Sequence, residues 1–256
     1  MRQDHKTYIW LWLLISLSIV VVMAVSWLDN PTLFGHEVRQ APFRENILKE
    51  PDTAAADTLP VVVEPKKIET DSTPKNILII GDSMTILLAN RMSQYGQQNG
   101  HTVAGVNWDS SSTVTWASSD TIAYFIKKYD ADFIMITLGS NELFAKNLDR
   151  KAELVKKIVD KIGDIPFVWV GPPNWKPDNG FNDMLAKTLP PGTFFKTDGM
   201  ELERRGDHIH PTQPAANIWV DSIMRWLPKS SHPILAEFPA DSLRPHPKMT
   251  VLKKAK

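Results

Sequence analysis

Short apolar runs alternate with stretches of helical periodicity through the middle of this chain, and that alternation restricts the fold more than any other feature. Asn76–Ile80 is a brief run of mostly branched residues closed by Gly81, the pattern of a strand buried on both faces. Met84, Leu87, Leu88, Met92 and Tyr95 then recur at the spacing of one helix face, with Gly96 and Gly100 near its stop. His101–Val106 reads as a second strand. Ile122, Phe125, Ile126 and Tyr129 mark a helix leading to strand Phe133–Leu138. Ala152, Val155, Ile158, Val159 and Ile162 mark another, leading to strand Pro166–Val170. A last amphipathic helix carries Ala215, Ile218, Trp219, Ile223 and Trp226. Parallel strands need crossovers long enough to hold a helix, so the pattern predicts βαβ units. The expected fold class is α/β, a three-layer α/β/α domain with a central parallel sheet over residues 75–228.

The flanks read differently. Tyr8–Leu28 is an uncharged apolar run of about 21 residues, about 30 Å as a helix and enough to span a bilayer. Trp10, Trp12 and Trp27 lie near its ends, where amphipathic rings favour the membrane interface. Arg2 and Lys6 precede the run and no Lys or Arg follows until Arg39, which leaves the short N-terminus in the cytoplasm and the rest outside. A cleaved signal peptide is the alternative, because Ala24–Ser26 resembles a small-residue cleavage site; the length of the run favours a retained anchor. On either reading the domain is exported, membrane-anchored in one case and secreted in the other. Residues 29–74 carry scattered prolines and mixed charge and read as a flexible linker, with Val61–Val63 a candidate short edge strand. Residues 229–256 interleave proline with lysine and read as an extended surface tail.

The formal net charge is zero, which gives nucleic acid no purchase as a main partner. The chain has no cysteine, so disulfides, thiolate nucleophiles and cysteine-ligated metals are excluded. Three polar motifs interrupt the apolar pattern at places that matter. Gly81-Asp82-Ser83 follows the first strand, Gly139-Ser140-Asn141 follows the third, and Asp207-His208-Ile209-His210-Pro211 precedes the last helix. A hydroxyl at a strand-to-helix turn stands at the sheet edge where open α/β folds place ligands, beside the positive end of a helix. Alone, Ser83 reads better as a helix N-cap. An asparagine amide donates hydrogen bonds without titrating, which suits an oxyanion, although Asn141 also suits a turn. Asp207 is spaced to hold one ring nitrogen of His210 while the other acts as a base. A metal bound by Asp207, His208 and His210 lacks a further ligand cluster in the sequence, so no cofactor is expected.

On these motifs the region Lys75–Leu227 resembles the SGNH hydrolases, also called GDSL esterases or lipases. Gly81-Asp82-Ser83 matches their first block; Gly139-Ser140-Asn141 matches their third, with Glu142 where they carry Asp; and Asp207 to Pro211 matches their last. The resemblance implies a flavodoxin-like sheet, Ser83 as nucleophile, His210 as base, Asp207 as its orienting acid, and oxyanion donors from the Ser83 N–H and Asn141. The second block, which usually supplies a glycine N–H, is matched by Trp108-Asp109-Ser110, which puts Trp108 in the glycine position. Gly105 is a second candidate donor, and Ser110 and Ser111 are others. Trp108 and Trp175 both follow strands and are candidate substrate walls, with flat faces suited to sugar rings. The expected activity is serine-ester hydrolysis, on O-acetyl or other acyl esters of envelope carbohydrate. The alternatives are an O-acyltransferase using the same acyl-serine and a non-catalytic glycan-binding protein.

Overall fold

The structure is a computed structural model that describes Trp12, residues 14–18, 32–33, 36–37, 71–197 and 199–253. The chain divides into two compact units, Met1–Val63 and Glu64–Lys256. In the first, Trp12 and residues 14–18 are helical, and Thr32–Leu33 pairs antiparallel with His36–Glu37. The remainder of the apolar run Tyr8–Leu28, and Val61–Val63, lie outside the described residues. Among the described residues, no helix is long and apolar enough to cross a membrane.

The second unit is built on a six-stranded sheet. Its strands are β1 (Asn76–Gly81), β2 (Thr102–Trp108), β3 (Phe133–Thr137), β4 (Phe167–Val170), β5 (Phe194–Phe195) and β6 (Lys248–Leu252). Helices α1 (Thr85–Asn99), α2 (Thr113–Ala117), α3 (Thr121–Tyr129), α4 (Leu148–Ile162), α5 (Phe181–Thr188) and α6 (Gln213–Trp226) connect or follow them. The strands lie in the order β5-β4-β3-β1-β2-β6, and every neighbouring pair is parallel.

The run Ile77–Ile80 is continuously apolar because both faces of β1 are covered. Ile77 and Ile79 turn toward Leu88, Met92 and Tyr95 of α1 and Trp219 and Ile223 of α6. Leu78 and Ile80 turn toward Trp116 of α2, Phe125 of α3 and Val155 and Ile158 of α4. Full burial of one such side chain contributes about 1.5–3 kcal/mol. The buried indoles are satisfied: Trp169 Nε1 donates to the Leu138 carbonyl at 3.1 Å and Trp219 Nε1 to Thr197 Oγ1 at 2.9 Å. From β1 the chain first builds β2 on one side, then crosses to β3 on the other. At such a reversal the loops leaving β1 and β3 part company, and open α/β sheets hold their ligands in the crevice that results.

The C-terminal segment corrects the sequence reading. Residues 229–253 are not a free tail: Lys248–Leu252 adds β6 to the sheet beside β2, pairing Gly105 with Met249 and Trp108 with Leu252. Proline-rich chain between α6 and β6 makes few regular hydrogen bonds of its own, and amide side chains of α1 supply them. Gln94, Gln97 and Asn99 donate to the carbonyls of Leu243, Arg244 and Glu237 at 2.7, 2.7 and 2.9 Å. Upstream of residue 75, Asp71 forms a β-bridge with Ile234. The folded unit therefore extends past both of the expected boundaries, 75 and 228. Strand β5 and helices α2 and α5 are too short to show a period in sequence.

Candidate active site

The turn that carries Ser83 begins where β1 packs closely against the end of β3. Asp82 N–H donates to the Thr137 carbonyl at 3.1 Å, and a Cβ on Gly81 would overlap that same carbonyl oxygen. Ser83 lies in the turn before α1, half-buried. The cap of α1 is Met84, with no side-chain cap bond, so the Ser83 hydroxyl is not engaged in capping. Asp82 is fully buried; Oδ1 accepts from Met84 N–H at 3.0 Å and Oδ2 from Ser140 N–H at 3.2 Å. One carboxyl thus joins the serine turn to the loop after β3. Burial pushes this carboxyl up to about 7, with the Glu142 charge adding to the rise and hydrogen bonds from Met84, Ser140 and Gly139 opposing it.

The loop before α6 folds back on itself. Arg205 N–H donates to the His210 carbonyl at 2.8 Å and Thr212 N–H to the Glu203 carbonyl at 2.9 Å, with His208 at φ 58° in the bend. Within it Asp207 Oδ1 accepts from Ile209 N–H and His210 N–H, both at 2.9 Å. Asp207 Oδ2 lies 2.7 Å from His210 Nδ1, and His210 Nε2 lies 2.7 Å from Ser83 Oγ. The hydrogen bond from His210, then the N–H groups of Ile209 and His210, hold the Asp207 carboxyl well below the usual carboxylate range. An ionised Asp207 places the imidazole proton on Nδ1 and leaves Nε2 to accept from the Ser83 hydroxyl. The structure thus brings Ser83, His210 and Asp207 into one hydrogen-bonded line. His208 is exposed and outside it.

Asn141 follows β3 on the same edge. Gly139, at φ 132°, makes the turn, and a Cβ there would lie 2.5 Å from the Phe181 ring. Asn141 is exposed, and its Nδ2 donates one hydrogen to the Ser111 carbonyl at 2.9 Å. This bond orients the amide and ties it to the segment after β2. Glu142, which stands where the resembled family carries Asp, is buried and structural. It accepts from Thr113 N–H and Thr113 Oγ1, both at 2.7 Å, and pairs with Lys151.

Two further expected residues lie in β2. Gly105 sits inside β2, opposite Ile79 of β1 and Met249 of β6, three positions short of the strand's end. It packs the sheet and does not reach the site edge. Trp108 ends β2 on the same side-chain face as Ala104 and Val106, because strand side chains alternate. Its ring packs edge-on against buried Trp116, centroids 5.5 Å apart. That contact ties the half-buried Trp108 ring to the core at the end of β2. The part of the second block that meets Asn141 is the following turn, where Ser110 takes φ 55° and Ser111 Oγ accepts from Trp116 Nε1 at 2.9 Å.

Trp175 does lie beside the site. Its Nε1 donates to the Ser140 carbonyl at 3.2 Å, and its ring meets that of exposed Phe144 edge-on at 5.7 Å. Phe144, three residues after Asn141, was not singled out in sequence, nor was Arg204. The Arg204 guanidinium donates to the carbonyls of Ile209 at 2.6 Å, Pro173 at 3.0 Å and Asn174 at 3.1 Å. Three backbone acceptors leave no mark in a sequence, so only proximity reveals this arginine. Among the described residues, no group of three or more His, Asp or Glu side chains is placed to hold a metal.

No family model matches the chain and no curated protein matches it. Among solved structures it is similar to a candidate lipolytic protein of the G-D-S-L family from Desulfitobacterium hafniense DCB-2, at 15% identity and a TM-score of 0.45, over 59% of this chain and 98% of that one.

Proposed function

We propose that this protein is a serine ester hydrolase of the SGNH type, with Ser83 as nucleophile, His210 as general base and Asp207 as the carboxylate that orients and charges the imidazole. The observation that carries this reading is the pair of 2.7 Å contacts from Ser83 Oγ to His210 Nε2 and from His210 Nδ1 to Asp207 Oδ2. As Ser83 Oγ attacks an ester carbonyl, its proton moves to His210 Nε2, and the imidazolium is stabilised by ionised Asp207. The second Asn141 amide hydrogen and the Ser83 N–H serve the tetrahedral oxyanion; removing one such donor typically costs about 3 kcal/mol of barrier. His210 then returns the proton to the leaving alcohol, and water, activated by the same imidazole, cleaves the acyl-serine to free acid. Asn141 and Asp207 are exposed, so solvent reaches the reacting atoms.

The substrate in this reading is an acyl ester of carbohydrate, O-acetyl first among them, met outside the cytoplasm by a domain that the apolar segment Tyr8–Leu28 tethers to the membrane. Phe144, which meets the Trp175 ring edge-on, supplies apolar surface for it at the rim. The test is to treat the full-length protein with a serine-directed fluorophosphonate and map the adduct, then assay aryl acetates and acetylated glycans. Adduct on Ser83 with release of free acid supports the proposal. Acylated glycan in place of free acid would assign the same site to an acyltransferase, and no adduct with retained glycan binding would make it a binding protein.

A further inference from the structure

The segment Pro173–Trp175 touches both halves of the site. On one side, Trp175 Nε1 donates to the carbonyl of Ser140, the residue before Asn141. On the other, Arg204 reaches across from the base loop: one terminal nitrogen donates to the Ile209 carbonyl, the residue before His210, and the other to the carbonyls of Pro173 and Asn174. The segment is itself braced. Asn174 Nδ2 donates to Asp178 Oδ2 at 2.9 Å, and the same carboxylate accepts from Asn182 Nδ2 at 2.9 Å. Asp178 Oδ1 accepts from Gly180 N–H at 2.7 Å, anchoring the turn into α5.

From this arrangement we infer that Arg204 and Trp175 are positioning residues, which link the general-base loop to the oxyanion loop through Pro173–Asn174 so that His210 and Asn141 are held at a common distance from Ser83. The proposal rests on the serine-hydrolase reading of the site and adds to it two residues that touch none of the reacting atoms. The Asp207 carboxylate fixes the bend internally, but its three bonds all stay within residues 207–210. Apart from the His210–Ser83 contact itself, Arg204 carries the bend's position to a further loop. A planar guanidinium can donate in two directions at once, which a lysine ammonium on a flexible stem does not reproduce. The half-buried setting of Arg204 makes its loss more serious, since three carbonyls then lose a charged donor together. Displacing a reacting group by about 1 Å is enough to lower a rate by about a hundredfold.

The test compares Arg204→Lys, Arg204→Met, Trp175→Phe and the double variant Arg204→Lys/Trp175→Phe. Trp175→Phe keeps an aromatic ring but removes the N–H to Ser140. The readouts are the rate of fluorophosphonate inactivation, kcat and KM on an aryl acetate, and the melting temperature. Inactivation is independent of the natural substrate. The expected result is an approximately tenfold loss in inactivation rate and in kcat for Arg204→Lys and for Trp175→Phe, with KM within about threefold of wild type. The double variant should lose clearly less than the product of the single losses, because either change already uncouples the loops. Arg204→Met should lose more inactivation rate and kcat than Arg204→Lys and also melt at a lower temperature, because three carbonyls lose their donor; if it does not fold, the lysine and phenylalanine variants decide the matter. Wild-type inactivation by Arg204→Lys, a loss confined to KM, or single losses that multiply in the double variant would each overturn the inference. A wild-type protein that is not labelled at all would instead defeat the serine-hydrolase reading.

Discussion

Replacing Asp82 by Asn exchanges a buried, ionisable bridge for a neutral one of the same shape, and the effect should change sign with pH. Asp82 ordinarily titrates near 3.8, and burial moves it to about 7 in the fold. Between those values the folded protein binds the extra proton, so Asp82 makes stability fall as pH rises through that window. Over pH 4.5 to 8 the shift corresponds to about 3 kcal/mol. The amide of Asp82→Asn never ionises and escapes this loss. It pays elsewhere, because Met84 N–H and Ser140 N–H approach different carboxyl oxygens at 3.0 and 3.2 Å. An amide offers oxygen to one and NH2 to the other, and a buried donor left facing a donor costs about 1–3 kcal/mol. The variant should therefore be about 1–3 kcal/mol less stable than wild type at pH 4.5 and up to about 2 kcal/mol more stable at pH 8. Burial lowers the pKa of His101 and His232, which works in the opposite sense, favouring the fold as pH rises. Those histidines are common to both proteins, so the difference between the two urea-unfolding curves isolates Asp82. Parallel stability profiles for wild type and Asp82→Asn from pH 4.5 to 8 would refute the reasoning.

Asp207→Asn should leave the fold intact and lower kcat by about 10⁴, since the amide favours the wrong imidazole tautomer and gives no charge to the imidazolium; steady-state kinetics at pH 7 with circular dichroism as control would check it. On the proposed mechanism, Asn141→Ala should lower kcat about a hundredfold or more while fluorophosphonate still labels Ser83, because that mechanism loses one oxyanion donor and keeps its nucleophile. Glu142→Gln replaces the carboxylate that holds Thr113 and Lys151, and should destabilise the protein by about 3 kcal/mol in chemical denaturation. Gly139→Ala puts a methyl group 2.5 Å from the Phe181 ring at a positive φ, and should lower the melting temperature markedly or abolish soluble expression.

Much of the fold was legible because its signal is local. The continuous run Ile77–Ile80 and the spaced residues of α1, α4 and α6 show their burial within a dozen positions of sequence. The chemistry-bearing types were legible too, since Ser83, Asn141, Asp207 and His210 interrupt apolar pattern where a bland turn would serve. Their union was not: 127 positions separate Ser83 from His210, and only the all-parallel pairing of the strands sets their loops on one edge. Trp108 and Gly105 are placed by tertiary pairing, which motif matching does not see. Their strand parity and depth in β2 are set by pairing with β1 and β6, and the partner strand β6 came from a lysine- and proline-rich segment whose strand character depends on an open sheet edge. Arg204 is the extreme case, for its acceptors are carbonyls, which every residue carries. The amino-acid sequence by itself determined which layers form and which side chains are candidates for reactivity, because hydrophobic period and functional-group chemistry are properties of near neighbours. Tertiary structure alone decided which turn meets Asn141, which strand closes the sheet beyond β2 and which arginine holds the base loop, because hydrogen-bond partners far apart in the chain are chosen by packing.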